Sequence, residues 1–318
     1  VAAFSVAQYG LTMNRVSKPF NPILGETFDY SKNGWRLLTE QVSHHPPVSA
    51  LHVESKDYEI LMDTSMTNSF WGKSLEFKPI GRKHYFFKDN DDHYIVERPN
   101  SACRNIIFGN MYIDHYGKMI IKNLRTGDEC ILDFHKAAKS MFGKSKNVGI
   151  VEGYVKDPND EIHHYLKGKW NENISMSPKN SKKNGFDEDN STLIWQVEEQ
   201  PEDVERIYRF TKFTLQLNKI SNKMKKSLPP TDSRLRTDQR ALENGDLTLA
   251  NSEKHRLEEK QRATRKKREQ EGIEWKPNYF EEYINSETGI KEYRRINDYW
   301  KDKEERNWDH LPDLFGPD

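Results

Sequence analysis

The chain has 318 residues, with 50 Lys and Arg against 50 Asp and Glu, so its formal charge is zero and nothing global favours nucleic-acid binding. Hydrophobic residues make up 34% and aromatics 11%, enough for a core, yet no run approaches the roughly 18 consecutive apolar residues of a membrane-spanning helix. Two cysteines, Cys103 and Cys130, exclude a disulfide framework or a cysteine zinc site and point to a reducing, cytosolic compartment.

In chain order, Val1 to Gln8 (VAAFSVAQ) reads as amphipathic, without a start methionine or a cleavage motif, so the chain looks like a fragment. Lys18 to Thr27 (KPFNPILGET) is stiff and irregular. Pro19 and Pro22 bracket Asn21, and Lys18 stands beside the apolar pair Ile23 and Leu24. From Arg36 to about Glu198, twelve short runs alternate with period two: 36–42, 48–54, 58–62, 74–77, 84–88, 93–97, 106–113, 118–122, 129–134, 150–155, 165–170 and 192–197. Turn residues such as Asn33-Gly34 and Gly127-Asp128 separate them, and no helical pattern alternates with them. This predicts a mainly β antiparallel sandwich or barrel with accessory helices. Asn171 to Ser191 is polar and aperiodic, and reads as a mobile loop or insertion.

After Pro201 the pattern changes. Asp203 to Ile220 mixes strand and helix periods and leaves its class open. Leu228 to Ser233 (LPPTDS) is a rigid turn. Leu247 to Glu271 lacks Gly and Pro and ends at Gly272, which predicts one helix of roughly 37 Å. The acidic tail beyond it carries Trp275, Tyr279, Phe280, Tyr283, Tyr299 and Trp300, a ring density that predicts packing rather than disorder. The organisation expected is a single domain over 1–318, with an N-terminal segment (1–35), a β-barrel (36–200) and a C-terminal helical subdomain (201–318).

Three segments carry chemistry. In Glu40 to Pro47 (EQVSHHPP) two imidazoles are followed by two prolines, which hold His44 and His45 at a strand end with His45 extended. Such a pair can ligate metal, act as a base or donate to an anion, and no third or fourth metal ligand stands at diagnostic spacing. His163 and His164 read as half-exposed strand residues. On the long helix, Lys254, Glu258 and Arg262 recur at four-residue intervals and share a face. Glu253 to Gly272 holds eight Lys and Arg against five Glu, and its Arg265 to Arg268 end suits anionic membrane surfaces. No phosphate-binding loop or nucleophile elbow accompanies these residues, which weighs against a phosphate-ester hydrolase.

EQVSHHPP and KPFNPILGE resemble the two signature motifs of the oxysterol-binding-protein-related family, and FWGKS (70–74), NIIFGNMYIDHYGKM (105–119), LPPTDSRLRTDQR (228–240) and KHRLEEKQR (254–262) follow in the family's order. The resemblance implies one lipid-binding domain: a large, nearly complete antiparallel β-barrel around a hydrophobic lipid tunnel, with C-terminal helices. It implies a non-enzymatic protein without a cofactor or metal that moves lipid between membranes, exchanging phosphatidylinositol 4-phosphate for a sterol or another lipid. Carried over residue by residue, the head-group site is Lys18, Asn21, His44, His45, Lys254, Glu258 and Arg262. The resemblance also implies a lid segment ahead of Val1, and a cytoplasmic protein peripheral at membranes such as endoplasmic-reticulum contact sites, with no nucleic-acid partner. A phosphoinositide-only sensor or transfer module is the alternative.

Overall fold

Alternating burial along short runs makes this chain mostly antiparallel β with few helices, as the sequence pattern predicts. The computed structural model describes residues 1–12, 20–108, 111–137, 148–207 and 209–317. The helices are α1 (Ala2–Ala7), α2 (Lys212–Leu217), α3 (Asn222–Lys225), α4 (Thr237–Glu243), α5 (Leu247–Glu271) and α6 (Tyr299–Glu305). The strands are β1 (Thr27–Lys32), β2 (Trp35–His44), β3 (Pro47–Ser55), β4 (Tyr58–Asp63), β5 (Met66–Trp71), β6 (Ser74–Pro79), β7 (Lys83–Phe87), β8 (Asp92–Glu97), β9 (Asn100–Arg104), β10 (Tyr112–Asn123), β11 (Glu129–Phe134), β12 (Ile150–Lys156), β13 (Ile162–Lys169), β14 (Asn173–Pro178), β15 (Thr192–Gln196), β16 (Phe280–Ile284) and β17 (Lys291–Arg295).

The contacts group residues 1–17 with 66–214 in one compact unit, and 18–65 with 215–318 in another. These units cut across the expected segments 1–35, 36–200 and 201–318. Strands β1 to β4 share a unit with the C-terminal third, and that third contains a hairpin as well as helices. The physical reason lies in the core: Leu38, Val42, Val48 and Ala50 of β2 and β3 bury against Tyr279, Phe280, Tyr299, Trp300 and Leu311. The aromatic tail is the other half of their hydrophobic layer, as its ring density predicts.

In the first unit, β7, β8, β10, β11, β12, β13, β14 and β15 follow one another across a sheet, and β9 links the β5–β6 hairpin to β10. Its buried apolar residues include Val96, Met119, Leu132, Phe134, Val151 and Ile174. Two expectations fail here. The run 106–113 is not a strand over its length: Ile106, Ile107 and Phe108 are exposed in a bend, residues 109–110 lie outside the described residues, and pairing starts at Tyr112. The segment 171–191 is not a plain loop, because β14 lies within it and pairs with both β13 and β15. Beyond β14, Asp187 is buried and accepts from Asn180 Nδ2 (3.0 Å), Lys183 Nζ (2.8 Å) and Asn190 Nδ2 (2.8 Å). His163 is exposed and His164 half-buried on β13, as expected.

In the second unit β1, β2, β3 and β4 form an antiparallel meander. Asn33 and Gly34, with φ of 51° and 81°, make the two-residue corner between β1 and β2 that the Asn-Gly pair predicts. Helix α5 spans the residues expected of it. The Asp246 side chain caps its start by accepting from the Leu249 N–H (2.9 Å), and Gly272 closes it at φ 66°. Leu257 plants the helix in a small cluster with Ile23 and Phe315. Arg256 and Lys260 donate to the carbonyls of Phe315 and Gly316.

Candidate functional site

The site lies within the second unit, where the two motifs are joined backbone to backbone. The Gly25 N–H donates to the Gln41 carbonyl at 2.9 Å, and the Gln41 N–H donates to the Glu26 carbonyl at 2.8 Å. Gly25 sits at φ 83°, and a Cβ there would lie 2.9 Å from the Trp275 ring. That ring is held by its own Nε1–H, which donates to the Val42 carbonyl at 2.9 Å. Beyond Gln41 the pairing of β2 with β3 shifts by a bulge, and the strand ends at His44.

His44 is therefore the last residue of β2, while His45 and Pro46 form the tight turn into β3, with the His45–Pro46 bond cis. His44 pairs directly with Pro47, which leaves His45 and Pro46 as the whole of the corner. The two rings lie 4.4 Å apart at 59°. Burial, then the adjoining His45 and Arg265, lower the His44 pKa, with Glu258 opposing them.

A cavity of about 550 Å³ opens beside this pair. Asn21, His44, His45, Lys254, Glu258 and Arg262 all line it, so six of the seven expected residues are brought to one place. Lys18 lies outside the described residues. Glu258 stands 3.8 Å from both Lys254 and Arg262, the ladder that four-residue spacing on one helix face predicts. These side chains are 44% to 57% exposed, so the pairs add little to stability and can be rebuilt around an entering anion. Lys254 also lies over the Phe20 ring at 5.4 Å.

Three polar lining residues fall outside the expected head-group set: Arg236, Gln261 and Arg265, the last read from the sequence as membrane-facing. Arg236 is buried and donates to the Asn21 carbonyl (2.8 Å), to Glu26 (2.9 Å) and, through Nε and Nη2, to both oxygens of Asp238 (3.0 and 2.7 Å). It thereby sets the backbone of the first motif from more than two hundred residues away. Its only sequence signal is membership of the LPPTDSRLRTDQR stretch. Gln261 follows Glu258 by three residues and Arg265 follows Arg262 by three, which places them beside the recognised stripe.

Two carboxyls of the motifs support the site from below. Burial raises Glu26 to about 7 against the pull of Arg236, and raises Glu40 to about 7 although the backbone N–H groups of Asn278 and Tyr279 donate to it at 2.7 and 2.9 Å. A carboxyl raised from its ordinary 4.5 binds its proton more tightly when folded. The stability that this proton brings is whole below pH 4.5 and lost as pH rises towards about 7. The excess unfolding free energy of the native chain over Glu40→Gln is accordingly expected to fall between pH 5 and 8, by at most roughly 3 kcal/mol. Urea unfolding at four pH values measures this, and a difference that rises with pH overturns it.

The family described as oxysterol-binding protein matches residues 1–304. The chain belongs to the oxysterol-binding protein family. Oxysterol-binding protein-related protein 1 of Mus musculus is 36% identical over 99% of this chain, and oxysterol-binding protein-related protein 1B of Arabidopsis thaliana is 40% identical over 99% of it. The chain spans 36% of the first relative and 61% of the second. Among solved members, the Osh1 ORD domain in complex with cholesterol superposes with a TM-score of 0.87 at 35% identity, covering 98% of this chain and 76% of that one. The Osh3 ORD in complex with PI(4)P from Saccharomyces cerevisiae gives 0.82 at 30% identity, covering 98% and 80%. The oxysterol-binding protein family is a lipid-binding rather than a catalytic one. In this member no helix among the described residues is long and apolar enough to cross a membrane.

Proposed function

We propose that this chain binds phosphatidylinositol 4-phosphate and exchanges it for a sterol or another lipid, carrying each between membranes. The observation that carries the reading is the single cavity lined by His44, His45, Asn21, Lys254, Glu258 and Arg262. A phosphate monoester bears about −1.5 to −2 charges near neutral pH, by analogy with phosphorylated side chains. Lys254, Arg262, Lys18 and the two imidazoles supply cations and donors for it, with Arg262 able to bind two oxygens at once. Glu258 orients the two cations or accepts from inositol hydroxyls. The solved relatives with cholesterol and with PI(4)P support both ligand classes.

An acyl tail of about 16 methylenes costs on the order of 13 kcal/mol in water, so lipid leaves a bilayer slowly unless a dry tunnel receives the tail. Such a tunnel, inside a nearly closed barrel, is the second part of the proposal, and transfer then needs no covalent step. The protein would act at the cytoplasmic face of membranes, endoplasmic-reticulum contact sites among them.

The test uses two vesicle populations, one holding phosphatidylinositol 4-phosphate and the other cholesterol. Counter-movement of both lipids supports exchange. Movement of the phosphoinositide alone replaces exchange by the sensor reading, and movement of neither overturns the proposal. Release of inorganic phosphate during the assay would replace it by hydrolysis.

A further inference from the structure

Gln261 joins the two motifs at a point that neither motif contains. Its Oε1 lies 2.8 Å from the backbone nitrogen of Leu24, and its Nε2 lies 2.9 Å from Nε2 of His44. A backbone N–H only donates, so the amide must turn its oxygen to Leu24. Its NH2 group then faces the imidazole, and the His44 Nε2 it meets has to be a bare lone pair.

We propose that Gln261 is a positioning residue that holds His44 as the neutral Nδ1–H tautomer and opposes protonation of its Nε2. An imidazolium would set two donors face to face. Reversing the amide relieves that contact only by turning NH2 against the Leu24 N–H, so neither orientation of Gln261 accepts a charged His44. The groups around the ring divide: His45 of the turn and Arg265 of α5 also disfavour the charge, while Glu258 of α5 favours it. The Nδ1 that keeps the proton is buried and has no partner among the described residues. It is the one nitrogen of His44 left to donate to an acceptor.

The consequence for binding rests on the phosphoinositide reading above. The buried Nδ1–H has to be uncovered as the ligand enters before it can donate to the phosphate monoester or its inositol, and the charge is met by Lys254, Arg262 and Arg265. His44 therefore contributes equally across the neutral pH range.

The experiment records long-range imidazole correlations on the 15N-labelled chain, with His44 assigned against His44→Gln. The native spectrum is expected to show a bare Nε2 and a protonated Nδ1 from pH 8 to pH 6. In Gln261→Glu the carboxylate accepts from both Leu24 and the ring, so the proton should move to Nε2 and the imidazolium should persist to higher pH. Gln261→Met should give a tautomer mixture and weaken extraction of phosphatidylinositol 4-phosphate from vesicles about tenfold, the loss of roughly one charge-assisted bond. A protonated Nε2 in the native chain, or a Gln261→Glu spectrum identical to native, overturns the proposal. If the native spectrum is as expected and vesicles yield no phosphoinositide, the tautomer assignment stands and the functional reading fails.

Discussion

Replacing His44 and His45 together by alanine is expected to cut extraction of phosphatidylinositol 4-phosphate from vesicles by a hundredfold or more, while sterol uptake stays within about threefold of native. The size follows from two donors to an ionised phosphate at about 1.5 to 3 kcal/mol each, with every 1.4 kcal/mol a factor of ten. The fold should survive, since His45 is an exposed turn residue and His44 a half-buried strand end. Their neighbours in the core, Val42 and Val48, are untouched. Equilibrium extraction at several protein concentrations measures the effect, with circular dichroism as the control. Phosphoinositide extraction within threefold of native would remove the histidine pair from the head-group site. A parallel loss of sterol uptake would show that the pair supports the whole lipid cavity rather than the head group.

Helix α5 could be read to both of its ends because its signals are local: strong helix formers with no Gly or Pro within, and a glycine after it that the structure shows to be left-handed. Strand β1 was missed for an equally local reason. Its inward residues, Thr27 and Asp29, are polar, and they are satisfied by Thr231 and Arg234, far along the chain. An inverted alternation of that kind looks like a loop until its partners are known. Strand β14 hides likewise, with Ser177 wholly buried beside a single core residue, Ile174. The opposite error arose at Ile106 to Phe108, where an apolar run has no partner layer among the described residues and stays exposed. Periodicity also assigns faces without assigning neighbours, so it gave no hint that β2 and β3 would share a core with Tyr279 and Tyr299. The recognised site residues were legible as motifs. Arg236 and Gln261 were not, since their roles exist only as distances to Asn21 and His44.

The second large effect concerns Arg236, whose guanidinium is the only cation among the described residues bonded to both Glu26 and Asp238. Arg236→Ala strands these two buried carboxyls and the Asn21 carbonyl at once. Breaking such a buried pair costs about 3 to 5 kcal/mol, because the remaining charge is left uncompensated in a place water does not reach. The pKa of Glu26 already stands at about 7 with the arginine in place, so its removal drives the carboxyl further towards the neutral form. The penalty should therefore be smaller at pH 5, where Glu26 accepts a proton, and larger at pH 8, where protonation itself is costly. Arg236→Lys keeps a charge without the planar fork that serves three acceptors, and should fall between native and alanine. Adding Glu26→Gln to Arg236→Ala should recover part of the loss, a coupling that simple removal of packing would not produce. Chemical unfolding of the native chain and these three variants at pH 5 and pH 8 decides the matter. A loss below about 1 kcal/mol at both pH values, or no recovery in the double variant, would mean that Asn21 and the first motif hold their shape without this arginine.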